Sequence, residues 1–146
     1  MLIGIHSCLT PDLLRHLRAM GHGDELVIAD ANFPAEANAA RIERLAGVTA
    51  TEALRAILGL MPLDTFVEAP ARSMQVVEDA GAEPEIVTEF QSIIDEVANK
   101  PVKLQPVERF AFYEQTRRAY LVVQTAETRL YGNIILSKGI VAPALP

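Results

Sequence analysis

Apolar positions along this chain follow two rhythms that alternate from end to end: a spacing of three and four, and short unbroken runs. In TPDLLRHLRAMG, residues 10–21, Leu13, Leu14, Leu17 and Met20 share one helical face. Thr10 stands where a side-chain cap is needed, Pro11 suits the first helical position, and Asp12 complements the positive end of the dipole. Gly21 is placed to end that helix in the left-handed conformation. ELVIADANF, residues 25–33, is an apolar run of strand length that Pro34 closes.

The alternation continues. A second helix is predicted at 50–61, where Thr49 and Glu52 have capping-box spacing, Leu54, Ile57, Leu58 and Met61 form a stripe, and Pro62 follows. TFVEA (65–69) and SMQVVE (73–78) read as strands interrupted by Pro70. PEIVTEFQSIIDEVA (84–98) places Ile86, Phe90, Ile93, Ile94 and Val97 on one helical face. VKLQPVE (102–108) is extended, RFAFYEQTRRA (109–119) helical, and AYLVVQT (119–125) a strand. LYGNIILSKG (130–139) reads as a strand with a glycine turn inside it. Alternating helices and strands imply an α/β fold, a central β-sheet covered by helices. No linker divides the chain, so residues 1–146 are expected to form a single domain.

Composition narrows the function classes. A formal charge of −6, with Lys and Arg scattered, argues against a nucleic-acid partner. No run is long and apolar enough for a membrane span, and MLIGIHSCLTPD lacks the basic start of a signal peptide, so a cytoplasmic protein is expected. The single cysteine, Cys8, has no internal disulfide partner, and no Cys/His spacing suggests zinc. Half the chain is apolar, with a mean hydropathy of +0.19, high for a monomer of this size. Leu130, Ile134, Ile135 and Leu136 on the terminal strand are expected to pack against a neighbouring copy.

Four segments carry candidate chemistry. His22 lies between Gly21 and Gly23, in the tight loop between the first helix and the first strand. Flanking glycines give the backbone room for a ligand beside the imidazole, although the same segment also reads as a surface loop. Asp30 and Asn32 sit where the apolar strand ends; they would share a face of a continuing strand and suit hydroxyl recognition, or simply form a turn. Arg109 and Tyr113 are four apart in ERFAFYE and face the same way on a helix, offering fixed donors and a phenol, or the edge of a core-facing Phe stripe. Tyr131-Gly132-Asn133 places a phenol and an amide around a glycine, at a ligand or in a hairpin turn. No phosphate loop, dinucleotide fingerprint or nucleophile beside a base occurs. The inventory suits proton shuttling on a polyhydroxylated small molecule more than covalent or redox chemistry.

MGHGDE, IADANFP, Met61-Pro62-Leu63-Asp64-Thr65, ERFAFYE and LYGNIIL with its following SKGI occur in an order and spacing that resembles the L-fucose mutarotase family, related to D-ribose pyranase. The likeness runs from Leu14 to Val141. It implies an enzyme that interconverts the α and β anomers of a pyranose, L-fucose or a similar sugar, without cofactor or metal. By the resemblance, His22 is the catalytic histidine and Tyr113 a second catalytic group. Asp30, Arg109, Tyr131, Gly132 and Asn133 are substrate contacts, and Asp64 and Met74 fall where some members touch the ligand. The family varies at Asn32. It forms ring-shaped homo-oligomers, often decamers. D-ribose pyranase activity, a sugar-binding or regulatory module without turnover, and a purely structural ring protein are the alternatives.

Overall fold

A computed structural model describes residues 1–143; the last three positions of the expected 1–146 domain lie outside the described residues. The first helix, α1 (Pro11–Ala19), is capped as expected, with Thr10 Oγ1 accepting from the Leu13 amide at 3.1 Å. Its exit differs. Met20 is already extended, and the left-handed residue is Gly23 (φ 83°), not Gly21. The Asp24 carboxylate accepts from the Gly21 amide at 2.7 Å, which moves the reversal along the chain.

Strand β1 (Glu25–Ala29) stops short of Phe33. The Asp30 carboxylate accepts from the Asn32 amide at 2.9 Å and the Phe33 amide bonds back to the Asp30 carbonyl, so the backbone turns there. Two elements were not anticipated: α2 (Ala35–Asn38) and β2 (Ile42–Leu45). A single helical turn is too short to show a period, and β2 is an edge strand with charges at Glu43 and Arg44. Helix α3 (Ala50–Leu58) begins at the expected Thr49 cap, whose hydroxyl accepts from the Glu52 amide.

The expected strand at 65–69 is a loop: Asp64 Oδ1 accepts from the Phe66 amide at 2.9 Å and bends the chain between Pro62 and Pro70. The strand predicted at 73–78 forms earlier, as β3 (Ala71–Met74). Then come α4 (Glu85–Val97), β4 (Gln105–Val107), α5 (Arg109–Arg118), β5 (Leu121–Thr125) and β6 (Ile134–Ser137). The turn at Tyr131 and Gly132 precedes β6 rather than interrupting it.

These strands form one six-stranded mixed sheet in the order β2-β5-β1-β6-β3-β4. β5 runs parallel to β1 and β2, while β6 runs antiparallel to β1 and β3, with Val27 opposite Ile135. Helices cover both faces, which is why the central strands read as unbroken apolar runs. Leu26, Ile28, Leu121, Val123, Ile134 and Leu136 pack with α1, α3 and α4. Val27, Val122 and Ile135 pack with Phe33, Ala35 and Phe112 on the other face. This is the expected single α/β domain. The expectation for the terminal strand fails in part: Ile134, Ile135 and Leu136 are fully buried within their own chain because β6 is central in the sheet, and only Leu130 remains exposed.

The reversed direction of β6 fixes both ends of β1. Its start brings Asn133 to Asp30, and its end brings Lys138 to the loop before Glu25. Gly139 packs directly after that. A Cβ there would lie 2.5 Å from the Leu63 carbonyl oxygen and 2.8 Å from its carbon. Gly139→Ala is therefore expected to destabilise the fold by roughly 1–3 kcal/mol, the usual cost of overpacking. Urea unfolding with an unchanged midpoint would contradict this close approach.

Candidate active site

The end of β1 opens into a cavity of about 190 Å³, lined by Asp30, Met74, Arg109, Tyr113, Tyr131 and Asn133 among others. Asp30, only 4% exposed, is held by a reciprocal pair. The Asn133 side-chain amide donates to Asp30 Oδ2 at 2.8 Å, and the Asp30 amide donates to Asn133 Oδ1 at 2.9 Å. Burial pushes the Asp30 carboxyl above the ordinary aspartate value; the hydrogen bonds from Asn133 and nearby amides offset this only in part. Asn32 lines the same cavity, so Asp30 forms the turn and borders the cavity as well.

Helix α5 supplies Arg109 and Tyr113 from one face. The Glu108 carboxylate caps it by accepting from the Phe110 and Ala111 amides at 2.9 and 3.0 Å. The Phe stripe is split: Phe112 is fully buried and Phe110 is exposed, with the Arg109 guanidinium 4.7 Å from its ring centroid. Tyr113 packs edge-on to Phe33, and Arg109 Nε is buried with no hydrogen-bond partner. An orphaned guanidinium donor beside a cavity marks the place for an acceptor from a ligand. Tyr131, in the left-handed region at φ 65°, aims its hydroxyl to accept from the Val77 amide at 3.2 Å. Gly132 admits no side chain, since a Cβ would lie 2.8 Å from Glu127 Cγ and 3.0 Å from Ile86 Cδ1.

His22 is elsewhere. It precedes β1, whereas Asp30 follows it, so the five residues of that strand separate them by roughly 17 Å at about 3.3 Å per residue. Asp64 joins His22, not the cavity: His22 Nε2 lies 3.1 Å from Asp64 Oδ1. Burial raises the Asp64 carboxyl, but hydrogen bonds from the Phe66 amide and His22 outweigh it, and the group ionises more readily than an ordinary aspartate. An ionised carboxylate only accepts, so His22 Nε2 carries a proton and donates, and in the neutral imidazole Nδ1 is the nitrogen with the lone pair. Phe66, exposed, stands edge-on to the imidazole at 5.4 Å between centroids. Lys138 fixes the loop: its ammonium donates to the Leu17 and Met20 carbonyls at 2.7 and 2.6 Å, and its own carbonyl accepts from Gly23. Burial and the nearby Arg18 charge push that ammonium's pKa down.

The structure thus brings Asp30, Met74, Arg109, Tyr113, Tyr131 and Asn133 together, with Gly132 beside them, and sets His22 and Asp64 apart at the other end of the sheet. Sequence reasoning missed Val77, Phe33 and Leu130 at the cavity and Phe66 beside His22. Phe66 was hidden because its segment reads as a strand; the Asp64-Thr65-Phe66 turn was the available signal. A larger groove of about 730 Å³ lies between α3 and α4, but it is lined by helix-surface side chains such as Thr51, Arg55 and Ser92 and leaves no buried polar atom unpartnered. No helix among the described residues is long and apolar enough to cross a membrane.

Comparison with known proteins adds to this geometry. The sequence model of the RbsD / FucU transport protein family matches residues 3–141. An L-fucose mutarotase of Histophilus somni is 46% identical over 141 residues, covering 96% of this chain and 97% of its own. The fucose mutarotase of Homo sapiens is 44% identical over 145 residues, covering 95% and 94%. The crystal structure of the fucose mutarotase from Streptococcus pneumoniae in complex with L-fucose superposes with a TM-score of 0.90 at 42% identity, covering 97% of this chain and 100% of that one.

Asn133→Ala leaves the Asp30 carboxylate buried without its partner and is expected to cost roughly 1–3 kcal/mol at neutral pH. Asn133 stabilises the ionised form, so its loss raises the Asp30 pKa in the folded state further. The lost bond from the Asp30 amide costs the same at every pH, so the deficit against the parent should be smaller in acid and grow as pH rises through the folded pKa of Asp30. Chemical denaturation giving the same deficit at both ends of that range would exclude this role for the pair.

Proposed function

This chain belongs to the RbsD / FucU transport protein family, and on that premise we propose that it is a sugar mutarotase, an isomerase interconverting the α and β anomers of L-fucose. The observation that carries the reading is the cavity itself. A buried, hydrogen-bonded carboxylate and an arginine whose buried Nε lacks a partner line it together. That combination offers acceptors and donors to a molecule rich in hydroxyls. The relatives named L-fucose mutarotase, at 46% identity over nearly the whole chain, support the same substrate class.

Mutarotation needs a base for the anomeric hydroxyl proton and an acid for the ring oxygen. The ring opens, the aldehyde rotates about C1–C2, and the ring closes on the other face. Each group must act in both directions, which suits imidazole as a side-chain type. His22, oriented through its Nε2–H by Asp64, presents Nδ1 as one group, and the Tyr113 phenol is the other. Asp30, Arg109, Tyr131 and Asn133 hold the hydroxyls, Met74 supplies apolar contact, and Gly132 keeps the backbone close. Acid–base help of roughly 10²–10⁴-fold suffices for such a step, and no cofactor or metal is needed.

His22 reaches the cavity only if it comes from another copy of the chain. Exposed Phe66 and Val67 border the His22 end, and exposed Val77, Phe110 and Leu130 border the cavity end. Joining one end to the other is a head-to-tail contact, which closes into a ring when the rotation permits. We assign the protein as a ring-shaped homo-oligomer, a decamer by family resemblance, acting in cytoplasmic carbohydrate metabolism as a single mutarotase domain.

His22→Ala is expected to slow enzyme-dependent anomer exchange by ~10²-fold or more with the assembly unchanged in size. Exchange NMR on the anomeric protons of L-fucose reads this directly, and a rate within about twofold of the parent would overturn the role. The same spectra with D-ribose test the pyranase alternative. A sugar-binding module would broaden the lines without transferring magnetisation between anomers, and a structural ring protein would do neither.

A further inference from the structure

Before the start of α1, outside the residues assigned to mutarotation, three metal-ligating side chains of different chemistry meet. His6 Nδ1 lies 3.1 Å from Cys8 Sγ, and Glu52 on the first turn of α3 completes the group, with all three donor atoms within 4.8 Å of one another. His6 and Cys8 are only two residues apart, a spacing that suggests no zinc motif in the sequence; the fold brings the third group from a separate helix. Cys8 is buried while His6 and Glu52 are exposed, so the cluster is open to solvent. Arg55, further along α3, is paired with Glu96 at 2.8 Å, and Glu52 forms no ion pair among the described residues.

We propose that His6, Cys8 and Glu52 form a binding site for a divalent transition-metal ion of the zinc type, with solvent as the fourth ligand. Zinc–ligand bonds of about 2.0–2.3 Å in tetrahedral geometry set neighbouring ligand atoms about 3.4–3.6 Å apart. His6 Nδ1 and Cys8 Sγ are 3.1 Å apart and all three donors lie within 4.8 Å of one another, close enough for side-chain rotations to reach that spacing. His6 Nδ1 already turns toward the sulfur, because it accepts from the Cys8 amide at 3.3 Å; the ion takes over that lone pair. An imidazole and a thiolate select zinc, cobalt or copper over magnesium and calcium. The site lies with α1 and α3, on the opposite face of the sheet from Phe112 of α5.

Cobalt(II) titration of the intact, metal-stripped oligomer tests this. The expected result is a thiolate-to-cobalt charge-transfer band with visible bands of tetrahedral intensity, saturating at one ion per chain and displaced by zinc. Cys8→Ser should remove the charge-transfer band. His6→Asn and Glu52→Gln, both at exposed positions, should weaken binding by roughly tenfold or more. No charge-transfer band in the parent, a band that survives Cys8→Ser, or affinity unmoved by either exposed substitution would overturn the proposal.

Discussion

β1 holds His22 and Asp30 at its opposite ends, and that separation governs how the rest of the molecule can work. A strand is rigid and extended, so no side-chain rotation brings the imidazole to the Asp30 cavity in the same chain. Inserting β6 antiparallel beside β1 anchors both ends at once, by the Asp30–Asn133 pair at one and the Lys138 carbonyl at the other. The two ends of one rigid strand, each bordered by exposed apolar side chains, suit the head-to-tail assembly proposed above.

The two ends of β1 differ in electrostatics as well as position. Both carboxylates are nearly inaccessible, Asp30 at 4% and Asp64 at 3% exposure, yet their environments push them in opposite directions. Asp30 is paired with a neutral amide and faces a cavity, so burial dominates. Asp64 faces an imidazole and a backbone amide, so hydrogen bonding dominates and its charge persists. A persistent negative charge fixes the His22 tautomer, and a carboxylate already satisfied by Asn133 has its remaining lone pairs free for hydroxyls. Environments that push two carboxylates apart let each serve a different purpose.

Much of this was legible in the sequence. The Thr10 and Thr49 caps, the α4 stripe and the unbroken runs of β1, β5 and β6 gave the α/β class, because caps and buried strands are local signals. Arg109 and Tyr113 were legible through helical spacing, and Asp30 through its place at the end of an apolar run. Other features were missed where a short polar turn or edge charge is overridden by an apolar pattern, or where a contact is distant in sequence. The loop at 65–69 reads as a strand until Asp64 is seen to take the Phe66 amide. The edge strand β2 carries its charges where an interior strand would not. The burial of Ile134 to Leu136 depends on β6 lying between β1 and β3, an order no local pattern records. The separation of His22 from the cavity needed the strand direction, which only the fold supplies.

The central claim is that each site is shared between two copies of the chain, and mixed assemblies test it most directly. His22→Ala and Tyr113→Phe subunits, each expected to be inactive alone because each lacks one of the two proton-transfer groups, would be unfolded and refolded together, with mass spectrometry verifying that mixed oligomers form. A shared site predicts recovered L-fucose anomer exchange, because about a quarter of the head-to-tail contacts in an equal mixture join an intact His22 to an intact Tyr113. Mixed oligomers that stay as inactive as their separate components would contradict it.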